Sequence, residues 1–397
     1  MTRKLVLMLL AMILAGIVPV TAQEAAPAAC VETYDAETDY FPEKAEIEYA
    51  DGFTLEYFNS YKVLTVTRPY LGAPEGESFQ YVLVQCGTPA PEGFDGVPVI
   101  EIPVDSAISM STTQLPHFVT LDILDALVGV DGGFYVSTPE VLEKYEAGEL
   151  AEVGFGSDVN AEVALDTGVD IVFGYASGAP DYDAYPKLAE AGLLTAINAE
   201  YAEVSPLARA EWIKFTAAFF NKEAEAEAYF DEVAGEYEAL TTLTADLPAE
   251  ERPTVLWNAF SSFIDAWAIP GAETYVGVIL NDAGANVALG EHAPESSVNL
   301  SFETVYDEGL EADIWIPVLY GVATLDDFAA LDSRYMDFTA FQSGEVYNTD
   351  GRVNANGGND YFENGVNEPH VVLADLIAII HPDLLPDHTP VYLRKMQ

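Results

Sequence analysis

The sequence predicts an α/β protein made of two lobes joined by one long helix, with a β-rich extension in front. Residues 221–247 give the longest helical pattern, an apolar stripe at three- and four-residue spacing: Ala226, Phe230, Val233, Tyr237 and Leu240. The segments on its two sides resemble each other, since 160–173 (NAEVALDTGVDIVF) and 301–316 (SFETVYDEGLEADIWI) both read as a short helix, a glycine turn, an aspartate and an apolar strand. We therefore predict lobes at 97–220 and 248–397.

Length and composition agree with two cores. The chain has 397 residues, of which 50% are hydrophobic, more than one ordinary core requires. Its formal net charge is −51, from 66 acidic and 15 basic residues scattered along the chain. Such a field excludes nucleic acid and anionic membrane surfaces as partners and indicates a solvated acidic surface.

Residues 1–22 have the pattern of a cleaved secretory signal peptide. Arg3 and Lys4 precede the apolar run Leu5–Val20, and small residues occupy the cleavage positions before Gln23. The alternative is an N-terminal membrane anchor. We expect an exported protein at the outer face of the cell membrane, in the periplasm or outside the cell.

Cys30 and Cys86 are the only cysteines. In an oxidising compartment a lone pair is expected to form a disulfide. A lipid-modified Cys30 is the alternative, because two alanines precede it, although Pro27 stands where such sites usually have leucine.

Residues 23–96 alternate as β-strands do, and we predict an antiparallel flap on the first lobe, tied down by the disulfide. The predicted strands lie between Gly, Pro and Asn turns, at Ala45–Tyr49, Phe53–Tyr57, Lys62–Val66 and Tyr81–Gln85.

From Val97 the pattern becomes α/β. In the first lobe we predict strands at 97–102, 168–173 and 193–198 and a helix at 115–127. Leu121–Val130 and Val276–Ala285 both read as helices that end at glycine. Ser205 and Pro206 suit the start of a helix that precedes the long one. In the second lobe we predict strands at 254–257, 266–269, 314–316 and 345–348, and a helix at 370–380.

Polar and aromatic residues follow the predicted strands. In open α/β sheets, ligands bind outside the carboxyl ends of the strands, so these residues should line a cleft between the lobes. The candidates are Ser109, Met110, Ser111, Thr112, Thr113, Tyr175, Tyr201, Asn258, Phe260, Trp267, Tyr320, Arg352, Asn354, Asn356, Asp360 and Tyr361. Arg352 stands out, because bases are scarce and its guanidinium could pair with ligand carboxylates.

No catalytic or cofactor motif is present in the sequence. There is no G-x-S-x-G elbow, no H-E-x-x-H and no phosphate-binding glycine loop, and the five histidines lack metal-ligand spacing. A secreted hydrolase built from carboxylates such as Asp181, Asp183 and Asp360 remains an alternative, and it requires one of them to be buried. A structural exoprotein is a third reading, and it predicts no cleft.

The chain resembles the substrate-binding proteins of ABC importers for ferric siderophores, haem and cobalamin over about residues 97–397. The resemblance rests on VIEIPVDSAISMSTTQLPH, the duplicated segments, SPLARAEWIKFTAAFFNKEAEAEAYFDEVAGEYEAL and LADLIAIIHPDLLPDH. It implies a monomer without enzymatic activity that captures a ligand between its lobes and docks on permease subunits.

In that family one glutamate on each lobe meets arginines of the permease, and Glu162 and Glu303 occupy the matching positions. The scarcity of bases in the second lobe favours a hydroxamate- or carboxylate-type iron chelate, or a corrinoid, over a tricatecholate complex. We expect no naked metal ion as ligand and no resident cofactor.

Overall fold

The computed structural model describes residues 30–397 and contains a β-sheet extension, two α/β lobes and one long helix between them. It confirms the predicted fold class. The predicted signal peptide at 1–22 lies outside the described residues. Among residues 30–397, no helix combines the length and the apolar character needed to cross a bilayer.

The extension is a four-stranded sheet whose strands are β1 Phe53–Tyr57, β2 Tyr61–Val66, β3 Phe79–Gln85 and β4 Val99–Ile102. The order is β1-β2-β3-β4, antiparallel except that β4 runs parallel to β3. Strand β4, which the sequence suggested as the opening of the first lobe, therefore completes the sheet of the extension. The predicted disulfide joins Cys30 to Cys86 at the end of β3, so the Cys30 sulfur is not free to carry a lipid.

The predicted strand at Ala45–Tyr49 does not form. The backbone N–H groups of Glu48, Tyr49 and Ala50 donate instead to the buried Glu211 carboxylate, at 2.7–2.8 Å. Because these donors are bound by a side chain, the segment has no need of a strand partner.

The extension shares a hydrophobic core with the first lobe. The centroid of the Phe53 ring lies 4.6 Å from that of the Trp212 ring and 5.9 Å from that of the Phe215 ring. Beneath the sheet, Lys62 forms a fully buried ion pair with Glu223. Thus the extension is an integral layer of the first lobe.

The first lobe contains a five-stranded, all-parallel sheet of order β7-β6-β5-β8-β9. Its strands are β5 Ala107–Ser109, β6 Leu127–Val130, β7 Ala151–Glu152, β8 Ile171–Gly174 and β9 Thr195–Ile197. Its helices are α1 Leu115–Thr120, α2 Pro139–Glu146, α3 Ala161–Asp166 and α4 Tyr185–Glu190.

The helix predicted at 115–127 is shorter than expected. It stops at Thr120, Asp122 adopts a left-handed backbone (φ 54°), and Leu127–Val130 becomes strand β6. Thus the prediction of a helix at Leu121–Val130 was wrong.

The connection between the lobes consists of α5 Pro206–Ala210, α6 Ile213–Ala218 and α7 Glu223–Thr244. Ser205 caps α5 as predicted, since its Oγ accepts the N–H of Ala208. The helix expected there is divided in two at Glu211 and Trp212. Helix α7 is the predicted long helix, and its apolar stripe packs on the core of the second lobe.

The second lobe is built around the parallel sheet β12-β10-β14, with two antiparallel pairs, β11-β13 and β15-β16. Its strands are β10 Thr254–Trp257, β11 Trp267–Ile269, β12 Asn286–Val287, β13 Val298–Leu300, β14 Ile314–Ile316, β15 Tyr347–Asn348 and β16 Arg394–Lys395. Its helices are α8 Tyr275–Asp282, α9 Phe302–Glu308, α10 Leu325–Leu331, α11 Thr339–Ser343, α12 Asn364–Asn367 and α13 Pro369–Ile380.

The duplicated segments occupy equivalent places in the two lobes. Each supplies a short helix, α3 or α9, followed by a strand. The aspartate before each strand has the same role, because Asp170 accepts the N–H of Ser106 and Asp313 accepts that of Thr254, at 2.9 and 2.8 Å. In both lobes this aspartate anchors the start of the neighbouring central strand.

Candidate ligand-binding site

A cleft lies where the loops that follow the strands of the two lobes meet. It consists of three adjoining spaces: a first-lobe recess of about 450 Å³, an interlobe cavity of about 860 Å³ and a hinge cavity of about 680 Å³ beside the connecting helices. Thr112 and Tyr135 line both the recess and the interlobe cavity. Tyr201 lines both the recess and the hinge cavity, and Phe362 lines both the interlobe cavity and the hinge cavity, so each space adjoins the other two.

The first-lobe recess is formed at the carboxyl ends of β5, β6, β8 and β9. Parallel strands bring these four ends to one edge of the sheet, which is why residues distant in sequence meet here. The lining residues are Met110, Ser111, Thr112, Thr113, Asp131, Gly132, Tyr135, Phe155, Tyr175, Ser177, Glu200 and Tyr201.

Two buried carboxyl groups line the recess. Asp131 is 6% exposed, and burial raises its pKa to about 6 although its Oδ1 accepts the Gly132 N–H at 2.8 Å. Burial also raises the pKa of Glu200, whose Oε1 accepts a 2.7 Å hydrogen bond from Thr113 Oγ1. The recess is therefore polar and acidic at one wall.

The interlobe cavity is lined mainly by two second-lobe loops, residues 319–323 and 350–362. Tyr320 is 67% exposed and its ring stacks on that of Phe362, with centroids 5.9 Å apart and planes at 21°. From the first lobe, Thr112 and Tyr135 complete the wall. This arrangement offers aromatic faces to a ligand that enters between the lobes.

The hinge cavity combines aromatic side chains with a guanidinium that is already engaged. Arg209 donates to the carbonyl oxygens of Glu203 and Tyr201, at 3.1 and 2.8 Å, and lies 4.4 Å from the centre of the Tyr275 ring. Strain accompanies the site, because Val318, a β-branched residue at the end of β14, adopts a φ of 52°.

Ten of the predicted cleft residues line one of the three spaces. They are Met110, Ser111, Thr112, Thr113, Tyr175, Tyr201, Asn258, Tyr320, Asn356 and Tyr361. Their role in binding stays a prediction.

Three predicted residues point into the protein core. Ser109 is fully buried within β5, and Phe260 packs with its ring 5.6 Å from that of Phe302. Trp267 is also fully buried and stacks on Trp315, with centroids 5.5 Å apart. These residues hold the sheets together and do not line the cleft.

Three more are engaged with other residues of the protein. Arg352 forms an ion pair with the buried Asp360, at 2.9 Å, so its charge is compensated within the second lobe. Asn354 donates from Nδ2 to the carbonyl oxygen of Val136, at 2.6 Å, and so links the two lobes. None of the three lines the cleft spaces.

A buried hydrogen-bond network joins the lobes at the back of the cleft. The Glu363 carboxyl accepts the N–H groups of Ser137 and Thr138 and the Thr138 hydroxyl, at 2.6–2.8 Å. Burial raises the pKa of Glu363 to about 7 despite these donors. His117 is buried in the same network, with its Nε2 at 2.7 Å from Asn367 Oδ1, and burial lowers its pKa to about 4.

The two glutamates proposed for docking are exposed at the starts of equivalent helices. Glu162 lies in the first turn of α3 and Glu303 in the first turn of α9. The side chain of Glu303 is 77% exposed and lies 3.9 Å from Arg334.

Sequence reasoning missed several lining residues: Asp131, Tyr135, Phe155, Glu200 and Phe362. Asp131 follows β6 directly, and recognition of Leu127–Val130 as a strand would have identified it. Glu200 adjoins Tyr201, which was predicted. The other three lie in loops without a distinguishing pattern.

The carboxylates of the hydrolase alternative do not form a pair. Asp181 is exposed, Asp183 accepts a 2.6 Å hydrogen bond from Ser177, and Asp360 binds Arg352. Within residues 30–397, the one group of possible metal ligands that includes histidine is Glu291, His292 and Glu308, which is exposed and outside the cleft spaces.

Solved structures share this fold. A periplasmic haem-binding protein of Pseudomonas aeruginosa matches with a TM-score of 0.55 and 20% identity over 74% of this chain and 98% of its own. A possible iron-binding solute-binding protein of Staphylococcus epidermidis matches with a TM-score of 0.54 and 14% identity, over 70% of this chain and 99% of its own. The molybdate-binding protein MolA of Haemophilus influenzae matches with a TM-score of 0.54 and 15% identity, over 72% of this chain and 88% of its own. All three of these neighbours are named as binding proteins.

Two uncharacterized lipoproteins of Methanocaldococcus jannaschii are related in sequence. One is 26% identical over 299 residues, 73% of this chain and 68% of its own length, and the other 27% over 315 residues, 77% and 76%. The family model described as periplasmic binding protein matches residues 108–353, more than half of the chain. This match includes the connecting helix and most of each lobe, and the chain therefore belongs to the periplasmic binding protein family.

Proposed function

We propose that the protein captures an iron chelate of the hydroxamate or carboxylate type, or a corrinoid, and delivers it to the permease of an ABC importer. The observation that carries this proposal is the cleft of three adjoining spaces between the lobes, lined by aromatic, amide and hydroxyl groups at the carboxyl ends of the strands. Aromatic faces supply contact area for a large ligand, and the few polar groups orient it.

The structural neighbours support capture of a small ligand but differ in what they bind. By their titles they bind haem, iron or molybdate. A small oxyanion such as molybdate fits poorly here, because no lysine or arginine lines the interlobe cavity or the recess. The space of about 860 Å³ suits a bulkier ligand.

Docking on permease subunits is proposed for Glu162 and Glu303. Both are exposed, and each lies in the first turn of the helix that the duplication places equivalently in its lobe. The double variant Glu162→Lys and Glu303→Lys should abolish transport while the affinity for ligand is unchanged, and Glu146→Lys, on exposed α2, serves as control. Loss of ligand affinity in the double variant would contradict a docking role.

An extracytoplasmic location, at the outer face of the membrane, is part of this proposal. The family and the two relatives named as lipoproteins support it. We propose that the protein acts there as a monomer, with one cleft per molecule.

Binding is tested by calorimetry and thermal unfolding of the mature protein with ferric hydroxamates, ferric citrate, haemin and cobalamin. A ligand that binds only the folded protein must stabilise it and so raise its melting temperature. At a ligand concentration of a hundred times Kd, the free energy of unfolding rises by about 2.7 kcal/mol. Saturable binding of one compound with such a rise is the expected result. The absence of binding to all four classes would refute the proposal.

A further inference from the structure

The first-lobe recess contains acids without bases. Asp131 and Glu200 line it, and no lysine or arginine lines either the recess or the adjoining interlobe cavity. Neither carboxylate forms a salt bridge with any residue of the described chain, 30–397. Asp131 is thus buried at the cleft wall without a counter-charge, and Glu200 has only the nearby charge of Arg209, an arrangement that is unfavourable for ionised groups.

The protein satisfies these carboxyl groups only in part. Asp131 receives the Gly132 N–H at Oδ1, and within residues 30–397 its Oδ2 accepts no hydrogen bond from another residue. The nearby charge of Glu152 further opposes ionisation of Asp131. Arg209 is close enough to Glu200 to lower its pKa, but its hydrogen bonds go to backbone carbonyls. Asp131 therefore keeps an acceptor for a group that enters the recess.

Aromatic rings surround the same space. Tyr135, Phe155, Tyr175 and Tyr201 line the recess, and Tyr135 and Phe155 are 56% and 59% exposed. The face of an aromatic ring attracts a cation, and the attraction grows when water is excluded. Aromatic rings, together with carboxylates that form no salt bridge, match the chemistry of an ammonium group.

We propose that the ligand carries a protonated amine and that the recess takes this group, with Asp131 and Glu200 as counter-charges. The body of the ligand then occupies the interlobe cavity, which the recess joins at Thr112 and Tyr135. This inference rests on the proposed function and deepens it, since it selects cationic iron chelates over neutral and anionic ones.

Three matched chelates test the inference by calorimetry on the mature protein. They are a linear ferric trihydroxamate that ends in a primary amine, the same chelate with the amine acetylated, and the same chelate with the amine succinylated. The amine form should bind roughly tenfold to a hundredfold more tightly than the acetylated form, as expected for a charged hydrogen bond. The succinylated form should bind most weakly.

Asp131→Asn and Glu200→Gln keep the size of each side chain and remove its charge. Each should reduce the preference for the amine form over the acetylated form, whereas Glu146→Gln, on the exposed surface of α2, should leave that preference unchanged. Circular dichroism and thermal unfolding verify that each variant folds.

The outcomes separate the inference from the proposed function. Equal affinity of the wild-type protein for the three chelates overturns the inference while chelate binding stands. Binding of cobalamin or ferric citrate alone, without any of the three chelates, also overturns the inference only, whereas binding of haemin alone overturns the inference and the proposed ligand class. Absence of binding to every compound overturns both.

Discussion

Replacing Glu363 by alanine should weaken the contact between the lobes, and the effect should depend on pH. The Glu363 carboxyl accepts three hydrogen bonds from Ser137 and Thr138, across the cleft from its own lobe. At about 1 kcal/mol net for each bond, the variant loses about 3 kcal/mol of unfolding free energy when the carboxyl is neutral. Ionisation of this buried group subtracts from that contribution.

The sign of the pH effect follows from the raised pKa. Burial is the largest cause, and the charge of Asp360 adds to it, so the pKa of Glu363 rises from 4.5 to about 7. The folded protein therefore retains a proton that the unfolded chain has lost. The contribution of Glu363 to stability is complete below about pH 4.5 and declines as the pH rises to about 7, by roughly 3 kcal/mol in all.

Urea unfolding at pH 5 and pH 8 measures this difference between wild type and Glu363→Ala, since other titrating groups cancel in the comparison. The cost of the substitution should be about 2 kcal/mol at pH 5, where ionisation of the unfolded chain has already removed part of it, and close to zero at pH 8. Amide exchange at Ser137 and Thr138 should accelerate in the variant, and Glu143→Ala, exposed on α2, should change neither. The same cost at both pH values, with unchanged exchange, would refute the reasoning.

Three further predictions follow from buried groups. Trp257 lines the hinge cavity, so Trp257→Phe should abolish ligand-induced quenching of tryptophan fluorescence while calorimetric binding persists; quenching that survives would show that the ligand lies elsewhere. Lys62→Met leaves Glu223 buried without its partner and should lower the unfolding free energy by about 3–5 kcal/mol in urea, whereas an unchanged midpoint would mean that the pair is dispensable. Replacing Cys30 and Cys86 by serine opens a loop with a sequence separation of 56 and should lower the free energy of unfolding by roughly 4 kcal/mol. Addition of a reductant to the wild-type protein should reproduce this effect.

The positions of the cleft loops could be predicted because they depend on local pattern and topology. Residues 110–113 are polar or lie next to polar residues and follow the apolar strand β5. Such a stretch lies at the carboxyl edge of a parallel sheet, whichever strands are the neighbours of the strand that it follows. The capping of helices could be predicted for the same reason, since Ser205 acts within one turn of chain. Both inferences require no knowledge of distant contacts.

The sequence-based predictions fail where contacts between residues distant in the chain determine the local structure. Trp267 follows a strand pattern as the lining residues do, but which face of β11 meets solvent is set by Trp315 and its neighbours. The segment at 121–130 has helical spacing, and only pairing of β6 with β5 makes it a strand. Glu363 contacts residues about 225 positions earlier, and no pattern in the sequence marks such a pair.

The scarcity of bases shapes how this protein buries its acids. With 66 acidic and 15 basic residues, most carboxylates have no available cation, and several buried ones bind backbone N–H groups, alone or together with a basic side chain. Asp375 accepts the N–H groups of residues 391–393, Glu211 those of residues 48–50, and Glu363 two N–H groups and a hydroxyl. Asp131 and Glu200 differ from these, because each lines an open recess and accepts far fewer hydrogen bonds from the protein. Because these two carboxyl groups lie at the wall of an open recess, a cation that enters the cleft can reach them, whereas the carboxylates of Asp375, Glu211 and Glu363 are occupied by groups of the protein.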